Sequence, residues 1–267
     1  MFERFPMSYT TERLLLETAC REAGAIARRY QSEGFQTFTK TKGDPFLTEA
    51  DTAIDTYLRT TLLAARPDYG WLSEETEDDN SRLAKTKCWV VDPIDGTRDF
   101  VERTGNFAVS AALVDAGAPV AAVVYNPMKE HLVSASKGDG LFLNGAKVGA
   151  KAVPAFLEAE CLVSVTETRK GKWAALDSRV RTRPVGSVAY KLALVAAGLS
   201  DMTASLAEKN LWDICAGHLL CEEAGCIFTD LSGRPVRYDA GYLRVNGVIA
   251  APPALYDPLK SLVVKPA

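Results

Sequence analysis

Residues 89–97 read WVVDPIDGT and hold the residues best suited to chemistry. The apolar run ends in Asp92, which places that carboxylate at a strand end, where layered α/β proteins present groups to ligands. Pro93 holds the preceding residue extended and fixes its own φ. Asp95 follows, then Gly96, which tolerates a close approach or an unusual φ, and Thr97, which opens a short predicted helix over 97–102. Two rigidly held carboxylates beside a helix start suit a site where hard cations meet a phosphate group. Asp-Pro and Asp-Gly pairs are also ordinary turn chemistry, so the other acids matter. Trp71-Leu72-Ser73 runs into Glu74 and Glu75, Asp51 lies in the first turn of a predicted helix, and Asp213 follows Trp212 at the start of another. Singly, these acids read as a solvated loop and two helix caps. Together they form the layout required by two oxygen-ligated metals a few ångströms apart.

The surrounding pattern supplies elements to position them. Residues 11–33 form an amphipathic helix with Leu15, Ala19, Ala23, Ile26, Ala27 and Tyr30 on one stripe, stopped by Gly34. A second helix spans about 48–65, with Thr48 and Asp51 at capping-box spacing and Pro67 beyond its end. Strands are predicted over 88–91, 107–114, 120–125, 131–135 and 141–143, separated by turn signals, which describes an antiparallel meander. Past Pro154, strands at 161–165, 202–206, 226–229 and 248–251 alternate with helices near 170–178, 187–197 and 213–224, and a last helix starts at Pro253. Alternation of that kind marks an α/β half. The expected division is 1–150, an α+β half with the meander and the DPIDGT site, and 151–267, an α/β half that supplies Asp213 and substrate contacts.

Composition removes other classes. At 267 residues, 47% of them hydrophobic, the chain can bury a core without disulfides or a structural metal. A net charge of −3 gives no bulk attraction to nucleic acid or anionic membranes, and neither partner is expected. His131 and His218 are far apart in sequence, which argues against an imidazole zinc site. The six cysteines contain no CxxC pair and read as reduced core thiols of a cytoplasmic protein. An EF-hand beginning at Asp92 fails at Ile94, Gly96 and Arg103, and no P-loop, G-x-S-x-G or H-E-x-x-H motif occurs.

Residues 89–100, WVVDPIDGTRDF, resemble the signature of the inositol monophosphatase family. Residues 212–225, WDICAGHLLCEEAG, are similar to its second signature and residues 42–51, KGDPFLTEAD, to its N-terminal motif, with Glu74-Glu75 standing where its acidic pair does. The resemblance implies a layered α-β-α-β-α sandwich, usually a homodimer, and a lithium-sensitive, Mg²⁺-dependent phosphatase with two to three ions per site. It implies that Glu74, Asp92 and the carbonyl of Ile94 hold one Mg²⁺, that Asp92, Asp95 and Asp213 hold a second, and that a third lies near Glu74. Thr97, oriented by Asp51 and helped by Glu74, would position and deprotonate the attacking water, and the amides of Gly96 and Thr97 would hold the phosphate. Hydrolysis would be direct, with no phosphoenzyme. Lys42, or Lys40 in another alignment of the loop, is a candidate to steer phosphate.

Family members selective for inositol phosphates usually carry a Glu seven residues before the helix-opening Asp; here that position is Leu206, after Ser205. Residues 97–107, TRDFVERTGNF, look more like the branch that hydrolyses 3′-phosphoadenosine 5′-phosphate, and the small phosphorylated metabolite expected leans that way, with inositol 1-phosphate and histidinol phosphate as alternatives. Gly186 and Ser187 stand where relatives touch the non-phosphate part of the substrate, although Ser187 also reads as a plain helix cap. A further alternative is a non-catalytic binding partner of the transcription or translation machinery, as some relatives are.

Overall fold

A computed structural model describes residues 8–39, 46–149 and 151–264. Lys40 and Lys42, the candidate phosphate-steering lysines, lie outside the described residues.

Helix α1 (Thr10–Glu33) is followed by a two-stranded hairpin, β1 (Thr37–Thr39) with β2 (Phe46–Thr48), and by helix α2 (Glu49–Ala65). The buried seam of α1 centres on Leu16, Ala19, Cys20, Ala23 and Ala27; Leu15, Ile26 and Tyr30 flank it half-buried, so the true stripe is rotated slightly from the predicted one. Thr48 caps α2 and forms the predicted capping box with Asp51.

Seven strands then build one sheet in sequence order: β3 (Gly70–Ser73), β4 (Lys87–Asp95), β5 (Ala108–Asp115), β6 (Ala118–Asn126), β7 (His131–Ser136), β8 (Gly140–Leu143) and β9 (Ala146–Lys147). From β4 onward the pairing is the expected antiparallel meander, and β3 joins the edge parallel to β4. Strand β4 runs past the predicted end at residue 91. Asp92 still pairs with Ser110, a bulge follows, and pairing resumes at Asp95 opposite Ala108. Asp92 is thus the last regular rung rather than the strand end, because Pro93 lacks the N–H that would continue the ladder but keeps the backbone extended. The short helix α3 (Thr97–Val101) leaves directly from this bulge.

The second sheet has the order β11-β10-β12-β16-β14, from β10 (Glu160–Ser164), β11 (Arg181–Val185), β12 (Met202–Ser205), β14 (Ile227–Asp230) and β16 (Val248–Ala251). β10 is parallel to β11 and β12, whereas β16 runs antiparallel to both β12 and β14. In place of one helix near 170–178 there are two short ones, α4 (Val165–Arg169) and α5 (Ala174–Asp177), parted by the Gly171 turn. A small antiparallel pair joins β13 (Lys209–Asn210) to β15 (Arg244–Val245).

Helices α6 (Val188–Ala196) and α7 (Leu211–Glu223) fill the space between the sheets, where Leu192, Ile214, Leu219 and Leu220 meet Val90, Ala112 and Val124 of one sheet and Leu162 and Ala250 of the other. Helices α1 and α2 cover the outer face of the first sheet through Trp89, Val91 and Val123, and α5 with α8 (Pro253–Val263) covers the outer face of the second through Val163, Met202 and Ile249. The stacking is the expected α-β-α-β-α sandwich. All six cysteines are free, five of them buried, and burial pushes Cys88 and Cys161 up to about 12, so they act as small core hydrophobes. Among the described residues no helix is long and apolar enough to cross a membrane.

The close approach of α6 to α7 depends on Gly217: a Cβ there would lie 2.5 Å from Leu192 Cδ1 and 2.6 Å from its Cβ. Gly217→Ala should destabilise the protein by about 1–3 kcal/mol through overpacking, read as a lower denaturant midpoint at constant m. An unchanged midpoint would mean that the helices part without cost.

Candidate active site

Three elements converge where β4 ends. The bulge swings Asp92 and Asp95 to the same side, α7 delivers Asp213 from its first turn, and β3 delivers Glu74 just beyond Ser73. One carboxylate oxygen each of Asp92, Asp95 and Asp213 lie within 4.8 Å of one another. Helix α7 begins two residues before the predicted start, because Asn210 precedes its first turn and donates its backbone N–H to Asp213 Oδ2 at 3.1 Å. That contact fixes the Asp213 side chain at the helix start.

Each carboxylate is held by specific donors. Asp95 Oδ2 accepts from the amide of Ala189 at 2.6 Å and from the Ser187 hydroxyl, and Asp92 Oδ1 accepts from the amide of Ile94 at 3.0 Å. Asp51 Oδ2 takes the amide and hydroxyl of Thr48 at 2.8 and 2.6 Å, which leaves Oδ1 facing Thr97 at 3.4 Å. The Thr97 hydroxyl also lies 3.1 Å from the Ile94 carbonyl oxygen. Gly96 has φ of 93°, a conformation that favours glycine, and turns the chain from the bulge into α3.

The electrostatics are unfavourable for three anions. Burial, and then the charges of Glu74, Asp95, Asp213 and Asp51, push Asp92 well above the usual carboxylate range. Burial raises Asp95 to about 6 against the opposing hydrogen bonds from Ser187 and Ala189. Burial, then Asp95 and Glu74, raise Asp213 to about 8. An all-oxygen cluster of mutually repelling carboxylates fits a hard divalent cation, and neither histidine nor any cysteine lines the cleft around it.

That cleft measures about 870 Å³ and holds Glu74, Asp92, Ile94, Asp95, Gly96, Thr97, Gly186 and Asp213 of the sequence-predicted set. Gly186 lets the Asp99 side chain pack against the backbone, since a Cβ would fall 1.7 Å from Asp99 Oδ2 and displace it. Ser187 is fully buried; it caps α6 through the amide of Tyr190 at 2.9 Å while its hydroxyl is engaged with Asp95. The sequence reading missed the five basic residues of the cleft: Arg98, Lys170, Lys209 and Arg244, and the buried Lys191, whose ammonium burial pushes down to about 8. A lone lysine inside the apolar segment VAYKLALVA was the available signal for Lys191.

The inositol monophosphatase family model matches residues 11–264. The chain belongs to the inositol monophosphatase family. It is 32% identical over 239 residues to an inositol-1-monophosphatase of Rhizobium meliloti, covering 85% of this chain and 88% of the relative. The Nus factor SuhB of Escherichia coli is 29% identical over 245 residues, 88% of this chain and 89% of that one. The solved structure of an IMPase from Thermotoga maritima superposes with a TM-score of 0.83 at 26% identity, covering 94% of this chain and 96% of that one. As a member of this family the protein is a metal-dependent phosphoric monoester hydrolase, and its acidic cluster has the donors such an enzyme needs.

The raised carboxylates set a pH dependence for the metal-free protein. A carboxyl that titrates near 4 when unfolded and at about 6 (Asp95) or about 8 (Asp213) when folded stabilises the fold below the lower value, and that stability is lost as pH rises through the higher one. In EDTA the melting temperature should fall between about pH 4 and about pH 8. Excess Mg²⁺ should restore stability increasingly across the same window. A Mg²⁺ effect of equal size at both ends of that range would contradict this electrostatic reading.

Proposed function

We propose that the cleft hydrolyses a small phosphomonoester with Mg²⁺ held by Glu74, Asp92, the Ile94 carbonyl, Asp95 and Asp213. The observation that carries this reading is the convergence of Asp92, Asp95 and Asp213 within 4.8 Å. When bound, Mg²⁺ supplies charge neutralisation of the phosphoryl oxygens, activation of water and stabilisation of the departing alkoxide. The chain's own residues orient the reaction. The Thr97 proton is directed at the Ile94 carbonyl or at Asp51, so the lone pairs of its oxygen are free to accept a hydrogen from the attacking water. Asp51 is buried and fixed by Thr48, which places it to take the proton that Thr97 relays, with Glu74 assisting at the cleft wall. The amides of Gly96 and Thr97, at the turn into α3, serve the phosphate oxygens.

The substrate reading leans to 3′-phosphoadenosine 5′-phosphate. Leu206 stands where inositol-selective members place an acid, and Arg98, Lys170, Lys209 and Arg244 around the cleft favour a ligand with a second phosphate. Inositol 1-phosphate and histidinol phosphate are the competing substrates. A second reading, a binding partner of the transcription machinery, draws on the relatives named Nus factor SuhB. The complete acid set favours catalysis over that role alone. The six free thiols support a cytoplasmic protein, and the homodimer is carried from the family resemblance.

Asp95→Asn keeps the volume and one acceptor oxygen but removes a charge. It should lower kcat by more than about 100-fold with an unchanged circular dichroism spectrum, assayed as phosphate release with Mg²⁺ and its inhibition by Li⁺. Near wild-type turnover in that variant would end the assignment, and no turnover by the wild type on any of the three phosphoesters would put the binding role ahead.

A further inference from the structure

Glu167 and Lys191 are two buried charged side chains at the same cleft that the reaction itself leaves unused. Glu167, on α4, is 6% exposed; its Oε1 accepts the amides of Leu206 and Ala207 at 2.9 and 2.7 Å, while its Oε2 is buried without a hydrogen-bond partner. Lys191, on α6, is fully buried, and its ammonium donates to Ser205 Oγ at 3.2 Å. Both residues line the cleft that holds the acidic cluster, and Glu167 is near enough to bias the Lys191 charge. Burying an unsatisfied carboxylate oxygen and an ammonium with protons to spare is costly, so a group that enters the cleft and satisfies both is favoured.

We infer that Glu167 and Lys191 form a subsite that reads a free hydroxyl on the leaving alcohol of the substrate, the hydroxyl donating to Glu167 Oε2 and accepting from Lys191 Nζ. The pair selects this chemistry by exclusion. A second anion would be repelled by Glu167 and an amine by Lys191, whereas a neutral hydroxyl is at once donor and acceptor. The side chain that carries the acceptor is anchored on the backbone amides of Leu206 and Ala207, which fixes the carboxylate in place. The class named is therefore a polyol or ribose ester, recognised through a hydroxyl apart from the phosphate. This assignment rests on the phosphatase reading above.

The test compares kcat/KM on substrate pairs that differ by one hydroxyl: 3′-AMP against 2′-deoxyadenosine 3′-monophosphate, and trans-2-hydroxycyclohexyl phosphate against cyclohexyl phosphate, with p-nitrophenyl phosphate as a hydroxyl-free control. The wild type should favour the hydroxylated member of at least one pair by about tenfold or more, the range of a hydrogen bond to a charged group. Glu167→Gln retains an oxygen for the Leu206 and Ala207 amides but turns the unpartnered acceptor into a donor, and it should bring that preference close to one. Lys191→Met should reduce it as well, with thermal unfolding of both variants confirming a folded protein. Turnover of p-nitrophenyl phosphate with no hydroxyl preference in the wild type, or a preference retained by a folded Glu167→Gln, overturns the subsite and leaves the phosphatase reading standing. A wild type inactive on every probe overturns both.

Discussion

Three carboxylates with oxygens within 4.8 Å of one another, two of them buried, repel each other, and much of the chain is arranged to hold them there. Burial acts in the same direction as repulsion, raising all three above the ordinary carboxylate range. Such a cluster is stable only if its residues cannot move apart and if some positive charge arrives to relieve them. The fold meets the first condition, and a hard cation meets the second.

The constraint against separation is distributed over the sandwich. Pro93 and the bulge after Asp92 bring Asp92 and Asp95 to one side of β4, which is held between β3 and β5 in the first sheet. Helix α7 is wedged between the two sheets, so Asp213 at its start cannot withdraw without opening the core. Helix caps are used twice as aiming devices. At α2 the cap spends one oxygen of Asp51 on Thr48 and leaves the other facing Thr97, and at α7 the amide of Asn210 orients Asp213. Ser187 links a third helix start to the cluster, because it caps α6 and also donates to Asp95. The hydrogen bonds that end helices thus also fix the site.

Much of this was legible in the sequence because it is local. The capping box at Thr48 and Asp51, the DPIDGT turn and the alternating apolar strands of the meander all announce themselves within a few residues. What stayed hidden depends on distant packing. Strand β11 was missed because Arg181-Thr182-Arg183-Pro184 is a largely exposed edge strand with no apolar alternation. Residues 170–178 read as a single helix because the turn at Gly171 falls inside an otherwise helical spacing. Glu167 acquires its setting only when α4 meets the chain after β12, a contact across 39 residues of sequence. Lysine at 191 is ordinarily a surface residue, and only its wholly apolar neighbours on α6 betrayed its burial.

The central claim is that the carboxylate cluster is a cation site, and anomalous diffraction from crystals grown with Mn²⁺ in place of Mg²⁺ tests it most directly. Strong anomalous peaks should appear within coordination distance of Asp92, Asp95 and Asp213, and the peak shared by Asp95 and Asp213 should vanish in Asp213→Asn crystals. Crystals that contain Mn²⁺ but show no peak at these three carboxylates, or peaks only elsewhere on the surface, would contradict it.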